Sequence, residues 1–119
     1  MDRALLVAFK DLKISKKDLC DKLGSNLIAL STETPVIVNS FDVINMLNAY
    51  KIGKYSVGNI LDWVNTIWFT ELYAYNDEQS NSIASIMNKL EELDEKGYIL
   101  SNVDVDRYII ALQNNQEIQ

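Results

Sequence analysis

Apolar residues recur at three- and four-residue steps through most of this chain, and the spacing predicts helices over 3–11, 16–24, 41–51, 57–75, 78–96 and 102–113. The fifth is the clearest, because Ile83, Ile86, Met87, Leu90 and Leu93 fall on one side and Gly97 supplies a stop. Several starts carry a capping signal, a small polar residue whose side chain can satisfy the free amides of a first turn. Ser15 with Asp18 and Ser101 with Asp104 fit it. Ser40 and Ser56 stand before similar patterns, and Asn76 or Asp77 is placed to cap the fifth helix.

The fourth stretch, which contains "DWVNTIWFTELYAYN", carries more apolar residues than one face needs. Val57, Ile60, Leu61, Val64, Ile67 and Trp68 already make a core-facing stripe, which leaves Trp63, Phe69, Tyr73 and Tyr75 over. The expectation is that Trp68 is buried while Tyr73 and Tyr75 stand outside, at the end of the helix. Between Gly24 and Ser40 the pattern breaks. "LSTETPVIVNS" contains Pro35 followed by three β-branched residues, which predicts a loop with a short strand. No second alternating run offers it a partner, so the expected fold is all-α: a single-domain helical bundle over 1–119.

Laying the chain on itself at an offset of 41 places "LVAFKDLKISKKDLCDKL" over "LNAYKIGKYSVGNILDWV" with six of 18 positions identical. Leu6, Ala8, Lys10, Lys13, Ser15 and Asp21 match Leu47, Ala49, Lys51, Lys54, Ser56 and Asp62. Each copy reads as helix, short basic turn, serine cap, helix. The expectation is two packed helical hairpins followed by two C-terminal helices.

Composition removes most catalytic chemistry. The 119 residues suit one domain, and they contain no histidine, the usual general base near neutral pH and the commonest zinc ligand. The one cysteine, Cys20, lies beside Leu19 and Leu23 and reads as an inert buried thiol. The four glycines form no phosphate-cradling loop. Glu91, Glu92, Asp94 and Glu95 cluster on the fifth helix, but nothing apolar beside them would raise a pKa. No enzyme, metal or cofactor is expected. The opening Met1, Asp2, Arg3 lacks the pattern of a secretory leader, and no run reaches the roughly 20 apolar residues of a membrane span, so a cytoplasmic protein is expected.

Charge then becomes the main clue. Seventeen acids against 11 bases give a net charge of −6, which disfavours direct contact with nucleic acid. Residues 1–76 balance eight acids with eight bases, whereas 77–119 carry nine acids and three bases. The lysines at 10, 13, 16, 17 and 22 are interleaved with Asp11, Asp18 and Asp21 and read as a solvated mixed face. The C-terminal excess predicts one acidic surface for a basic protein partner, formed by Asp77, Glu78, Glu91, Glu92, Glu95, Asp104 and Asp106 and flanked by Tyr73 and Tyr75.

The region "PVIVNSFDVINMLNAYKIGKYSVGNILDWVNTIW", with Ser40, Leu47, Tyr50, Gly53, Ser56 and Trp63, resembles a bacterial pattern. In it an extended segment is followed by a helix ending in an aromatic, a glycine, a serine and a tryptophan-bearing helix. "LEELDEKGYILSNVDVDRYIIAL", with Leu90, Gly97 and Leu112, is similar to the tail of the same pattern. The pattern is that of toxin-immunity proteins, including those of contact-dependent growth inhibition systems and the colicin D type. The resemblance implies a non-enzymatic inhibitor that binds and neutralises one cognate toxin domain, often a nuclease. The competing expectation is a helical adaptor or regulatory subunit of a larger assembly.

Overall fold

The computed structural model describes residues 3–32, 34–94 and 99–118. Among them are six α-helices: α1 (Arg3–Lys10), α2 (Lys16–Leu23), α3 (Ser40–Lys51), α4 (Val57–Phe69), α5 (Ser80–Glu91) and α6 (Asn102–Gln113). Two three-residue strands, β1 (Val36–Val38) and β2 (Tyr73–Tyr75), complete the regular structure. The fold is therefore mainly helical.

Short-range hydrogen bonds fix where most helices begin. The Ser15 hydroxyl accepts the Asp18 amide at 3.1 Å while the Ser15 amide donates to the Asp18 carboxylate. Ser56 and Asn59 repeat this exchange at the start of α4. Ser101 accepts the Asp104 amide at 3.1 Å ahead of α6. Ser40 is not a cap. Asn39 takes that place, its amide donating to the Asp42 carboxylate at 2.8 Å, and Ser40 is the first residue of α3. The Asn76 side chain caps a 3-10 turn, Asp77–Gln79, that leads into α5. A second such turn, Glu92–Asp94, follows α5, and the expected stop at Gly97 lies outside the described residues.

The 41-residue offset reappears as hydrogen bonds. After α1 the amides of Asp11, Leu12 and Lys13 donate to the carbonyls of Val7, Phe9 and Ala8. After α3 the amides of Ile52, Gly53 and Lys54 donate to Asn48, Tyr50 and Ala49, each partner displaced by the same 41 residues. The left-handed position of both turns also matches, with Leu12 at φ 66° and Gly53 at φ 82°. Glycine takes this conformation freely, whereas at Leu12 it costs about 1 kcal/mol, which the surrounding bonds must offset. The matched lysines both reach across the fold. Lys10 pairs with Asp42 at the start of α3, and Lys51 pairs with Asp106 on α6.

The structure corrects the reading of the aromatic stretch. Helix α4 ends at Phe69 instead of continuing to 75, and Tyr73–Tyr75 forms a strand parallel to β1 in the register Val36↔Tyr73, Ile37↔Ala74, Val38↔Tyr75. The chain therefore contains a small two-stranded sheet where none was expected. The buried face of α4 is Ile60, Trp63, Val64, Thr66 and Ile67, one step round from the predicted stripe. Trp63 is fully buried and Trp68 only half-buried, the reverse of expectation. Its indole N–H explains this, because it donates to the Lys10 carbonyl at 3.1 Å and satisfies an acceptor left free at the end of α1.

Helix α1 packs against α2, α4 and β1, while α3 lies mainly on α6 and α4 on α5. One core runs through all of them, including Leu6, Phe9, Met46, Leu47, Trp63 and Ile86. Cys20 is half-buried at its edge. No helix among the described residues is long and apolar enough to cross a membrane.

Protons are held more tightly in this fold than in the open chain. Burial pushes the hydroxyl pKa values of Tyr73 and Tyr75 far above the ordinary tyrosine range. Burial alone would lower that of Lys10, but its hydrogen bonds to Asp11 and Asp42, each 2.9 Å, outweigh this and raise it. Raised folded values mean stability that is present below the unfolded pKa of about 10 and lost as pH climbs past it. An alkaline titration followed in the near ultraviolet should therefore show Tyr73 and Tyr75 ionising only together with loss of the helical signal. Complete ionisation of all six tyrosines ahead of unfolding would contradict this burial.

Candidate functional site

Fold geometry divides the expected acidic surface into separate places. Asp77 and Glu78 lie before α5, while Glu91, Glu92 and Asp94 lie at or after its end. A twelve-residue helix keeps these groups about 18 Å apart. Asp104 and Asp106 belong to α6 and are already partnered, Asp104 by Arg107 and Asp106 by Lys51. Glu95 lies outside the described residues. The expected surface is thus not a set of seven free carboxylates side by side: α5 separates Asp77 and Glu78 from Glu91 and Glu92, and Asp104 and Asp106 are ion-paired.

The flanking tyrosines are also elsewhere than expected. Tyr73 is 6% exposed, and its hydroxyl donates to the Leu6 carbonyl at 2.6 Å. Tyr75 is half-buried, edge-on to Trp68 with ring centroids 6.4 Å apart, and its hydroxyl is buried without a hydrogen-bond partner. Both belong to β2, Tyr73 within the core and Tyr75 packed against it. Once residues 73–75 are a strand, pairing with β1 turns Tyr73 toward α1 instead of toward solvent.

Glu91 and Glu92 remain, and they line a cleft of about 620 Å³ between the second half of α4, the end of α5 and the loop after α2. Asp94 adds a third carboxylate, and among the described residues Lys16 is the one base on its walls. Among the described residues none of the three acids makes an ion pair. Helix α4 lines the cleft with Asn65, Thr66 and Phe69, which share one side of the helix, Thr70 follows at the helix end, and Asn88 lines it from α5. Phe69 is about half exposed, tilted against Trp68.

Thr66 is the unusual member of this wall. It is 2% exposed, its carbonyl accepts the Thr70 hydroxyl at 2.6 Å, and its own hydroxyl has no partner. A buried hydroxyl without a hydrogen bond costs about 1–3 kcal/mol, so its retention needs a reason beyond folding. Sequence reading missed Asn65, Thr66, Phe69 and Asn88 as site residues. The available signal is that Asn65, Thr66 and Thr70 interrupt the most apolar run of the chain.

Chemically the cleft can bind a cation. Among the described residues no hydroxyl of the cleft is hydrogen-bonded to a carboxylate or a lysine, and no three acidic or thiol groups converge as a metal's ligands would. No family model, curated protein or solved structure matches this chain.

If the Thr66 hydroxyl is an uncompensated cost, removing it should help the fold. Thr66→Val, close in shape, should stabilise the protein by about 1 kcal/mol in urea unfolding. A loss of that size would mean the hydroxyl has a partner in solution.

Proposed function

We propose that this chain is a non-enzymatic, toxin-neutralising binding protein of the immunity kind, and that it acts in the cytoplasm. In this reading Glu91, Glu92 and Asp94 meet a basic surface of a cognate toxin domain, often a nuclease, at the cleft between α4 and α5. The observation that carries it is a cleft of about 620 Å³ whose three carboxylates are unpaired among the described residues. Unpaired carboxylates speed the encounter with a positive surface and become strong contacts once water is excluded. Half-exposed Phe69 beside them supplies the aromatic contact that the sequence had suggested for Tyr73 and Tyr75. The absence of histidine agrees with a role needing no general base at neutral pH.

A second reading, a helical adaptor or regulatory subunit, is favoured by another surface. Val103 and Ile110 are 76% and 56% exposed on the outer side of α6, seven residues apart and so on one face. Ile99 stands exposed just before that helix. An apolar face of this kind suits a permanent partner and is insensitive to salt.

Co-expression with the product of the adjacent upstream reading frame separates the two. If that product is toxic, Glu91→Lys with Glu92→Lys should abolish rescue, while Val103→Ser with Ile110→Ser leaves it intact. The purified pair should also associate at least tenfold more slowly when ionic strength rises from about 0.01 to 0.15 M. Rescue that survives the charge reversal and fails on the α6 substitutions would overturn this assignment in favour of the adaptor.

A further inference from the structure

We infer that a second copy of this chain docks on the outer face of α3 and α6, making the protein a two-fold dimer. These helices lie side by side and antiparallel. At one end the Tyr50 hydroxyl donates to the Leu100 carbonyl at 2.7 Å and Lys51 pairs with Asp106. At the other the Ser40 amide donates to the Gln79 side chain and the Asn115 side chain donates to the Glu78 carbonyl, both at 2.9 Å. Along α3 and its C-cap, Phe41, Asn45, Asn48 and Ile52 follow at steps of four, three and four, and all are exposed. Val103 and Ile110 share the exposed side of α6, with Ile99 exposed just ahead of it. Of the seven large apolar side chains exposed among the described residues, five therefore belong to these two helices and their ends.

Three features select an identical chain as the occupant. The first is charge. Lys51 is paired with Asp106, Arg107 with Asp104, and Asp42 turns inward to Lys10, so the face is neutral in a chain of net charge −6. Like chains repel one another least where their charges cancel, and a strongly charged partner finds no unpaired opposite charge here. The second is the pair of amides midway along α3. Asn45 and Asn48 make no side-chain hydrogen bond among the described residues, and an amide both donates and accepts. It can therefore pair with its own kind, and a two-fold contact requires a patch that complements itself. The third is area. The five apolar side chains expose roughly 600 Å² per chain, so two copies would cover about 1,200 Å², where specific interfaces begin. The inference does not rest on the carboxylate-lined cleft, whose walls include no residue of α3 or α6.

The test needs only the intact chain, followed by sedimentation velocity from about 2 to 500 µM. Its weight-average mass should rise toward two chains and stop there, with a dissociation constant of about 10–100 µM, as suits an interface near the lower size limit. Because the contact is apolar and neutral, that constant should change less than about threefold between about 0.05 and 0.5 M salt. Val103→Ser with Ile110→Ser, and separately Phe41→Ser, should each weaken association at least about tenfold. The helical signal should stay unchanged, since the replaced side chains are exposed. Glu91→Gln with Glu92→Gln should leave association within about twofold. Amide resonances that move on dilution should lie over 41–52 and 99–110. A single-chain mass at every concentration would overturn the inference and leave the face to a different protein, as in the adaptor reading. So would a mass that climbs past two chains, or association untouched by the α3 and α6 substitutions. Co-expression reads the toxin-binding assignment separately. Rescue lost on reversing Glu91 and Glu92, in a chain that stays single, would remove the dimer alone. A dimer whose rescue is indifferent to the cleft would remove the toxin-binding reading alone.

Discussion

Two hydrogen bonds into α1 organise the molecule. The Trp63 indole donates to the Lys10 carbonyl, and the Tyr73 hydroxyl donates to the Leu6 carbonyl. Large aromatics enter a core with a polar atom attached, and that atom must find a partner or forfeit the desolvation energy. Here both find backbone of the same short helix, one turn apart, one coming from α4 and one from β2. An eight-residue helix is too short to be stable alone, so these bonds and the burial of Leu6 and Phe9 hold it in place. The Lys10 ion pair with Asp42 adds a third tie, to α3.

That arrangement also fixes what the surface can offer. With Trp63 and Tyr73 committed inward and Tyr75 packed edge-on to Trp68, most of the aromatic surplus between Tyr50 and Tyr75 is structural. Ending α4 at Phe69 leaves that ring at the mouth of the cleft, one turn beyond Thr66 and Asn65. The carboxylates of α5 face it without ion-pair partners among the described residues. A fold optimised for stability alone would put an apolar residue at 66 and a base near 91. Departures of this kind leave interaction energy unused by the fold, as the proposed binding role would need.

The helices were legible in the sequence because their signals are local. Ser15, Ser56 and Ser101 each satisfy an amide three residues on, and nothing distant needs to be known. The turn geometry shared by Leu12 and Gly53 was foreshadowed by the 41-residue offset for the same reason. Strand β2 was not legible. Three residues, Tyr-Ala-Tyr, continue a helical pattern as easily as they alternate, and their partner Val36–Val38 lies 37 residues earlier. The phase of α4 was ambiguous because a helix apolar on most sides has no unique stripe, and only the Lys10 carbonyl selects Trp63 over Trp68. The acidic surface failed for a third reason. Charge counted along a chain says nothing about position in space, and the length of α5 keeps Asp77 about 18 Å from Glu91.

Hydrogen exchange on the chain, alone and with the toxin domain proposed as its partner, tests the binding cleft most directly. Binding through the carboxylate-lined cleft predicts slowed exchange in residues 65–70 and 88–94, with the outer helix over 103–110 unchanged. Protection confined to 103–110, with the cleft exchanging as it does in the free protein, would contradict it.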